Sequence, residues 1–501
     1  MSNTTALPAA AIALDPPAVE ASPSSRWLIL ALVSISQLMV VLDATIVNIA
    51  LPSAQAALGF SNDQRQWIIT AYALAFGSLL LLGGRLGDMF GRKNIFLIGL
   101  AGFAGASVIG GAAPNFETLV FARALQGLFG ALLAPAALSI VTTTFTDPQE
   151  RGRAFAVFGA ISGAGAGVGL LLGGILTEYL DWRWTLYVNV IFATAAIVGI
   201  SLTMRNIRPS HRIPLDLVGT ALVTLGLFGI VYGFSSAETR EWTSPITIVS
   251  LALGTILVAA FAWWQTRATT PLLPLRIILD RNRGGSMLAL LVSGAGMFGV
   301  FLFLTYYLQM SLGYSPIRTG LAFLPMVGAI MTSATLASIV LVYRVGARPL
   351  IPAGMVMAAL GLLYLTRMDL GSTYAVDILP ALLVMGVGMG LIFATATSVG
   401  TLGVDPDDAG AGSAFLNTVQ QVGGSIGTAL LSTIAATAAT DYLATRAATP
   451  EAIAQASIES YSAAYWWSAG LFLVGAILTA LILRSGRPQP PVEGSQPVHM
   501  A

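Results

Sequence analysis

The sequence predicts an all-α membrane protein with about fourteen transmembrane helices, and three observations carry that prediction. Hydrophobic residues make up 56% of the 501-residue chain and charged residues only 9%, against about 25% charged in ordinary soluble domains. Apolar windows of about 20 residues, enough to cross a hydrocarbon core of about 30 Å, recur along nearly the whole length. The polar pieces between them are short. They comprise the Ala/Pro-rich stretch ahead of Arg26, segments 267–286 and 441–461, and the Pro-rich end beyond Arg484, all read as linkers or tails.

In chain order, the first span, 27–51, is unbroken apolar sequence except for Asp43. It is too long for a signal-peptide core and lacks a basic region well ahead of it, so it is expected to be retained as a helix. Spans 67–83 and 94–113 are separated by Gly84-Arg85-Leu86-Gly87-Asp88-Met89-Phe90-Gly91-Arg92-Lys93, whose glycines permit a tight turn. The fourth span, 117–141, carries Arg123. The fifth, 154–177, carries Gly159, Gly163, Gly165, Gly167, Gly169, Gly173 and Gly174, a density whose usual reason in a membrane is close backbone approach. Spans 184–204, 216–235, 246–265, 286–309, 319–341, 350–368, 377–401, 411–437 and 462–483 complete the set.

An internal repeat orders these spans. Asp147-Pro148 with Gly152 matches Asp405-Pro406 with Gly410, and Gly165 and Gly169 match Gly423 and Gly427 at the same offset. Asp88 to Arg92 has a fainter echo in Tyr343-Arg344-Val345-Gly346-Ala347. The expected division is a disordered tail 1–26, a six-helix half 27–204, two inserted helices with linkers 205–285, a second six-helix half 286–484 and a tail 485–501. Halves repeated in parallel, with a binding site between them at mid-depth, are one architecture of secondary transporters. Seventeen of the 24 Lys and Arg residues fall with the termini and the loops on their side, and six fall opposite. Both termini are therefore expected in the cytoplasm, with the chain in the cytoplasmic membrane.

Two ionisable groups stand inside spans. A central Asp costs about 2.5–3.5 kcal/mol on insertion scales, so Asp43 is expected to face a bundle interior and to handle a proton or cation. Asp43 lies nine residues before Pro52, roughly 13 Å below that end of its helix, and Arg123 lies six residues after Glu117, roughly 9 Å below the same surface. At similar depths the two are expected to communicate, directly or through water, with Arg123 keeping Asp43 charged until substrate or closure releases it. Gln126, Gly127 and Gly130 share the Arg123 face.

Motifs then suggest a family. The loop Gly84 to Lys93 resembles the signature loop of the major facilitator superfamily. Leu42-Asp43-Ala44-Thr45-Ile46-Val47-Asn48-Ile49-Ala50-Leu51-Pro52 resembles the first-helix motif of its fourteen-helix drug:proton antiporters. Asp181-Trp182-Arg183-Trp184 with Asn189, Gly313-Tyr314-Ser315-Pro316 and Arg123-Ala124-Leu125-Gln126-Gly127 are similar to further motifs of that family, so the resemblance spans nearly the whole chain. It implies a major facilitator fold and a role for Asp43 in proton coupling and in engaging cationic drugs. It also implies a latch at Gly84, Asp88, Gly91, Arg92 and Lys93 that holds the two halves in the outward-facing state, and a fifth helix that packs between the halves and seals the proton path. Two departures stand out: Met89 replaces a basic residue of the latch, and Gly169-Leu170 replaces a Gly-Pro step, removing the expected kink.

Several chemistries are excluded. Lys93 is the only lysine and no G-x-x-x-x-G-K-[ST] loop exists, so ATP is not the direct drive and no cofactor is expected beyond the proton gradient. Gly423-Gly424-Ser425-Ile426-Gly427 fits a hydrolase elbow pattern but lies in an apolar helix with no preceding strand. Without cysteine, and with His211 and His499 confined to a loop and the tail, thiolate and His-based metal sites are absent. No enzyme activity is expected.

Thr45, Asn48, Gln126, Tyr306, Tyr307, Gln309, Asn417, Gln420 and Gln421 are the candidate cavity residues, the aromatics suiting flat or cationic ligands. The resemblance implies an additional intramembrane acid in the tenth span where divalent cationic drugs are handled; Asp and Glu are absent between Leu321 and Val342, so monocationic or neutral hydrophobic substrates are expected. The expected partners are such substrates, protons and the lipid bilayer, not nucleic acid, with the chain acting as a monomer. Proton-driven export is the leading expectation. A proton-coupled uptake symporter and a non-transporting membrane scaffold or sensor remain as alternatives.

Overall fold

The computed structural model describes residues 23–61, 64–145, 147–204, 216–240, 242–269, 271–272, 275–401, 409–447 and 449–486. Both tails beyond these limits, the Asp405-Pro406 copy of the repeat and the side chain of Asp88 lie outside the described residues.

The first half contains α1 (Pro23–Leu58), α2 (Gln66–Phe90), α3 (Arg92–Gly111), α4 (Phe116–Thr144), α5 (Pro148–Tyr179) and α6 (Trp184–Thr203). Helices α7 (Leu217–Arg240), α8 (Pro245–Gln265) and the short α9 (Leu275–Leu279) follow. The chain continues with α10 (Arg281–Tyr306), α11 (Pro316–Leu336), α12 (Val342–Val345), α13 (Ala347–Leu365), α14 (Leu379–Thr401), α15 (Ala409–Ala444) and α16 (Pro450–Ile482). Wider π turns at Tyr307–Ser311, Ala337–Leu341 and Tyr374–Ile378 extend α10, α11 and the start of α14. Among the described residues twelve helices are long and apolar enough to cross a membrane, and α2 and α5 add shorter apolar stretches, Gln66–Leu80 and Gly167–Tyr179. The predicted fourteen counts these two as well.

Local sequence sets the helix ends. Asn115 accepts from the Thr118 amide, Asp280 from the Asn282 and Arg283 amides, Ser315 from the Arg318 amide and Thr449 from the Ala452 amide. Each satisfies donors the helix itself leaves open. Pro316 and Pro450 follow directly at positions where a missing N–H costs nothing. Helix α5 runs without a break through Gly169-Leu170, as the missing proline requires.

The faint repeat is structural. Gly91 closes α2 at φ 91° with its N–H on the Gly87 carbonyl, and Gly346 closes α12 at φ 81° with its N–H on the Val342 carbonyl. Only glycine takes that conformation readily, so both copies keep it. Gly165 and Gly169 lie against Leu38, Val41 and Leu42 of α1, while Gly423 and Gly427 lie against Leu291 and Ala295 of α10. The equivalent helix pairs thus use equivalent glycines.

Helices α1 to α6 pack chiefly among themselves, as do α10 to α16, while α7 and α8 pair with one another and α7 also touches α2 and α15. The two sets meet along two seams, α5 against α11 and α2 against α15. In the repeat α2 corresponds to α11 and α5 to α15, so the seams exchange as a two-fold relation demands. The face bearing the α1–α2, α5–α6 and α10–α11 links is called distal here. Outward apolar side chains such as Ile248, Val249, Leu253, Ile256 and Trp263 of α8 are exposed, as a surface facing lipid rather than water requires.

Candidate functional site

Asp43 of α1 is fully buried (0% exposed) and Arg123 of α4 nearly so (2%). They form a direct ion pair: Arg123 Nη1 donates to Asp43 Oδ2 at 2.6 Å. The same nitrogen donates to Gln126 Oε1 at 2.8 Å, one turn along α4, and Nε donates to the Ile68 carbonyl of α2 at 3.1 Å. The guanidinium also lies over the Tyr72 ring, 4.4 Å from its centroid. The second carboxylate oxygen, Asp43 Oδ1, accepts from Gln126 Nε2 (3.0 Å) and Asn189 Nδ2 of α6 (2.7 Å). Ser107 Oγ of α3 accepts from both amides, at 2.8 and 3.3 Å. Five helices thus converge on one carboxylate, and the predicted communication between Asp43 and Arg123 is a contact.

Burying two charges is expensive, and attraction offsets that cost only where the remaining hydrogen-bonding positions are filled. Here one is left open: the carbonyl oxygen of Asn189 is buried without a partner. A water-sized cavity of about 10 Å³ touches Arg123 from the distal side, between Ile68, Leu119, Thr185 and Leu186.

The fifth helix packs against both halves. Gly165, Gly169 and Gly173 lie against α1, whereas Gly167 and Gly174 face Leu324, Val327, Pro316 and Ile317 of α11. Gly163 and Gly159 belong to the same helix, about one and two turns before Gly167. The loop expected to latch is largely helical: α2 runs on through Gly84 to Phe90, so the turn rests on Gly91 alone, with Arg92 and Lys93 opening α3. Lys93 Nζ donates to the Ser201 carbonyl (3.2 Å) and to that of Met204, tying α3 to the end of α6, and Arg85 donates to the Pro271 carbonyl at 2.8 Å.

The expected cavity residues separate. Gln126 belongs to the ion-pair network. Thr45 and Asn48 donate to carbonyls of their own helix, Leu42 and Ala44, and Thr45 packs under Gly169. Tyr307 is fully buried and donates to the Asp369 carbonyl at 2.7 Å. Gln309 donates to the Ile49 carbonyl of α1 at 3.0 Å, a tie between the halves. Gln420 and Gln421 sit where α15 meets Gly294 of α10 and Gly77 of α2, and Asn417 is exposed on α15. Tyr306 does line a cavity, of about 470 Å³, at the distal end between α1, α10, α15 and α16.

Sequence reading missed two residues of consequence. Ser107 is the one hydroxyl in the apolar run 95–113, which was the available signal. Arg65, counted as a loop charge, is 8% exposed, stands immediately before α2 and stacks over Tyr306 of α10 at 4.2 Å.

Comparison with known proteins follows this geometry. The family model described as Major Facilitator Superfamily matches residues 33–428. The chain is 46% identical to "Puromycin resistance protein pur8" of Streptomyces alboniger, covering 95% of each. It is 36% identical to "Cephamycin export protein CmcT" of Amycolatopsis lactamdurans, over 92% of this chain and 93% of that one. Among solved structures it resembles a bacterial homolog to the human lysosomal transporter Spinster in an inward-facing and occupied conformation. That match has a TM-score of 0.67 and 15% identity, and covers 94% of this chain and all of the other.

Proposed function

From the premise that this chain belongs to the Major Facilitator Superfamily, we propose that it exports antibiotics or related hydrophobic drugs in exchange for protons. Relatives of nearly equal length are named for puromycin resistance and cephamycin export, which supports efflux as the direction. The proposed energy source is the proton gradient alone, with no bound cofactor, in a monomer set in the cytoplasmic membrane with both termini inside. Cargo is proposed to be neutral or monocationic; a cation reaches Asp43 only by displacing Arg123.

The observation that carries proton coupling is the fully buried Asp43 with Arg123, Gln126 and Asn189 around it. In the present state the two charges cancel. Protonating Asp43 leaves Arg123 without its counter-ion, a change that normally costs several kcal/mol. Arg123 nevertheless keeps Gln126 Oε1, the Ile68 carbonyl and the Tyr72 face. The new O–H needs an acceptor, and the unpartnered Asn189 oxygen supplies one when its amide turns over. The site therefore holds a place for each protonation state, and passing between them exchanges the contacts by which α4 and α6 hold α1. Alternating access then requires this change inside the first half to be passed to the seams where that half meets the second, α5 against α11 and α2 against α15.

Inverted membrane vesicles energised to acidify their interior provide the test, with puromycin as the first candidate cargo. Adding cargo should release protons to the medium, and Asp43→Asn should abolish that release while the protein still inserts. Undiminished release from Asp43→Asn would place the proton site elsewhere.

A further inference from the structure

Arg65 stands apart from the ion-pair site yet is more than nine-tenths buried, and among the described residues no carboxylate lies within ion-pair distance of it. Its Nε hydrogen has no acceptor. The guanidinium is held from one side by aromatic rings, 4.2 Å from the Tyr306 centroid and 5.9 Å from that of Phe303. Arg65 lines the distal cavity of about 470 Å³, a volume in the range of small-molecule sites. A second unpartnered group lines the same space: Ser432 Oγ of α15, 4% exposed and without a hydrogen-bond partner.

The lining is of two kinds: Arg65, Ser432, Ser460 and the Tyr461 ring are polar or aromatic, and small and aliphatic side chains such as Ala435, Ala439 and Ile453 stand beside them on the same faces of α15 and α16. Among the described residues Arg65 is the only charged one in the lining. A guanidinium offers donors and no acceptor, so among the described lining residues no carboxylate compensates a cation, whereas an oxyanion would give the idle Nε hydrogen an acceptor. Charge-assisted bonds of that kind are about twice as strong as neutral ones.

We propose that the distal cavity is a second ligand site that takes small organic anions, a carboxylate on Arg65 and Ser432 with an aromatic or aliphatic body along α15 and α16. It lies between helices of both halves, α1 and the head of α2 on one side and α10, α15 and α16 on the other. The site extends the range of ligands beyond the neutral and monocationic cargo assigned to Asp43.

A matched pair of probes tests it: 2-naphthylacetate and 2-(2-naphthyl)ethylammonium, measured by equilibrium dialysis against purified full-length protein. Wild type should bind the acetate about tenfold more tightly than the ammonium. Arg65→Gln should erase that preference and Arg65→Lys should keep part of it. Ser432→Leu, which fills the cavity without touching the charge, should weaken both. Equal binding of the two probes by wild type, or an acetate affinity unchanged in Arg65→Gln, overturns the proposal. Misfolding is separated from site loss by gel-filtration elution and by the partial rescue with lysine. Because the readout is binding and needs no proton gradient, failure of proton coupling leaves the result intact, and the reverse holds.

Discussion

Asp43 and Arg123 are each costly alone and tolerable together, which makes their stability effects strongly non-additive. Arg123→Ala should leave Asp43 buried without compensation and destabilise the protein by about 3–5 kcal/mol. Asp43→Asn combined with Arg123→Gln removes both charges and should recover most of that loss, because a neutral buried pair carries no desolvation penalty of comparable size. Coupled transport should stay absent in the double variant. Thermal unfolding in detergent, beside proton release from vesicles, reads the two properties separately; a double variant no more stable than Arg123→Ala would show that the pair does not act as a unit. At this scale the sequence was informative because a charge inside an apolar run is conspicuous. Gln126 followed from helical periodicity, three residues on, whereas Asn189 was visible only as part of a motif and its bond to Asp43 was not. Ser107 was hidden because a lone hydroxyl in a helix ordinarily bonds its own preceding turn. Arg65 was hidden because a residue at a span edge reads equally as a loop charge and as a buried side chain.

At the scale of elements, α5 shows why so many glycines sit in one helix. Its residues alternate between two neighbours, α1 on one face and α11 on the other, and the second contact crosses between halves. A Cβ at Gly174 would stand 2.7 Å from the Ile317 Cα and 2.8 Å from the Pro316 carbonyl, and one at Gly320 would stand 2.5 Å from the Leu170 carbonyl. The obstacles are backbone, which has no rotamer to yield. Gly174→Ala and Gly320→Ala should therefore open the α5–α11 seam at its distal end, lowering transport several-fold while leaving insertion unchanged. The same substitution at Gly105, where the added atom meets nothing within 4 Å, is the control. Transport by Gly174→Ala at the level of the control would mean the seam has slack. The glycine density was visible in the sequence, but which glycine faces which partner was not, since spacing alone does not identify the helix opposite. For the same reason most of the predicted cavity residues turned out to join helices: a polar side chain facing inward looks alike in sequence whether it meets ligand or backbone.

For the whole molecule, the distal ends of the halves are tied by polar contacts. Tyr306 donates to Gln55 Oε1 at 2.5 Å and Gln309 to the Ile49 carbonyl, both joining α10 to α1, while the Ile317 amide donates to Glu178 Oε2 at 3.0 Å, joining α11 to α5. Exchange across a membrane by rocking halves requires these ties to break once per cycle. The chain contains no cysteine, so a thiol pair can be introduced without background. Glu178→Cys with Ile317→Cys places two thiols on opposite halves at the tie between α5 and α11. A short bifunctional methanethiosulfonate reagent should link them, and the linked protein should lose cargo-dependent proton release in vesicles while each single variant treated alike keeps it. Reduction should restore release, because the link alone blocks the motion. Full activity in the linked protein would mean that the distal seam stays shut throughout transport, and that cargo leaves by a route other than separation of the halves at this face.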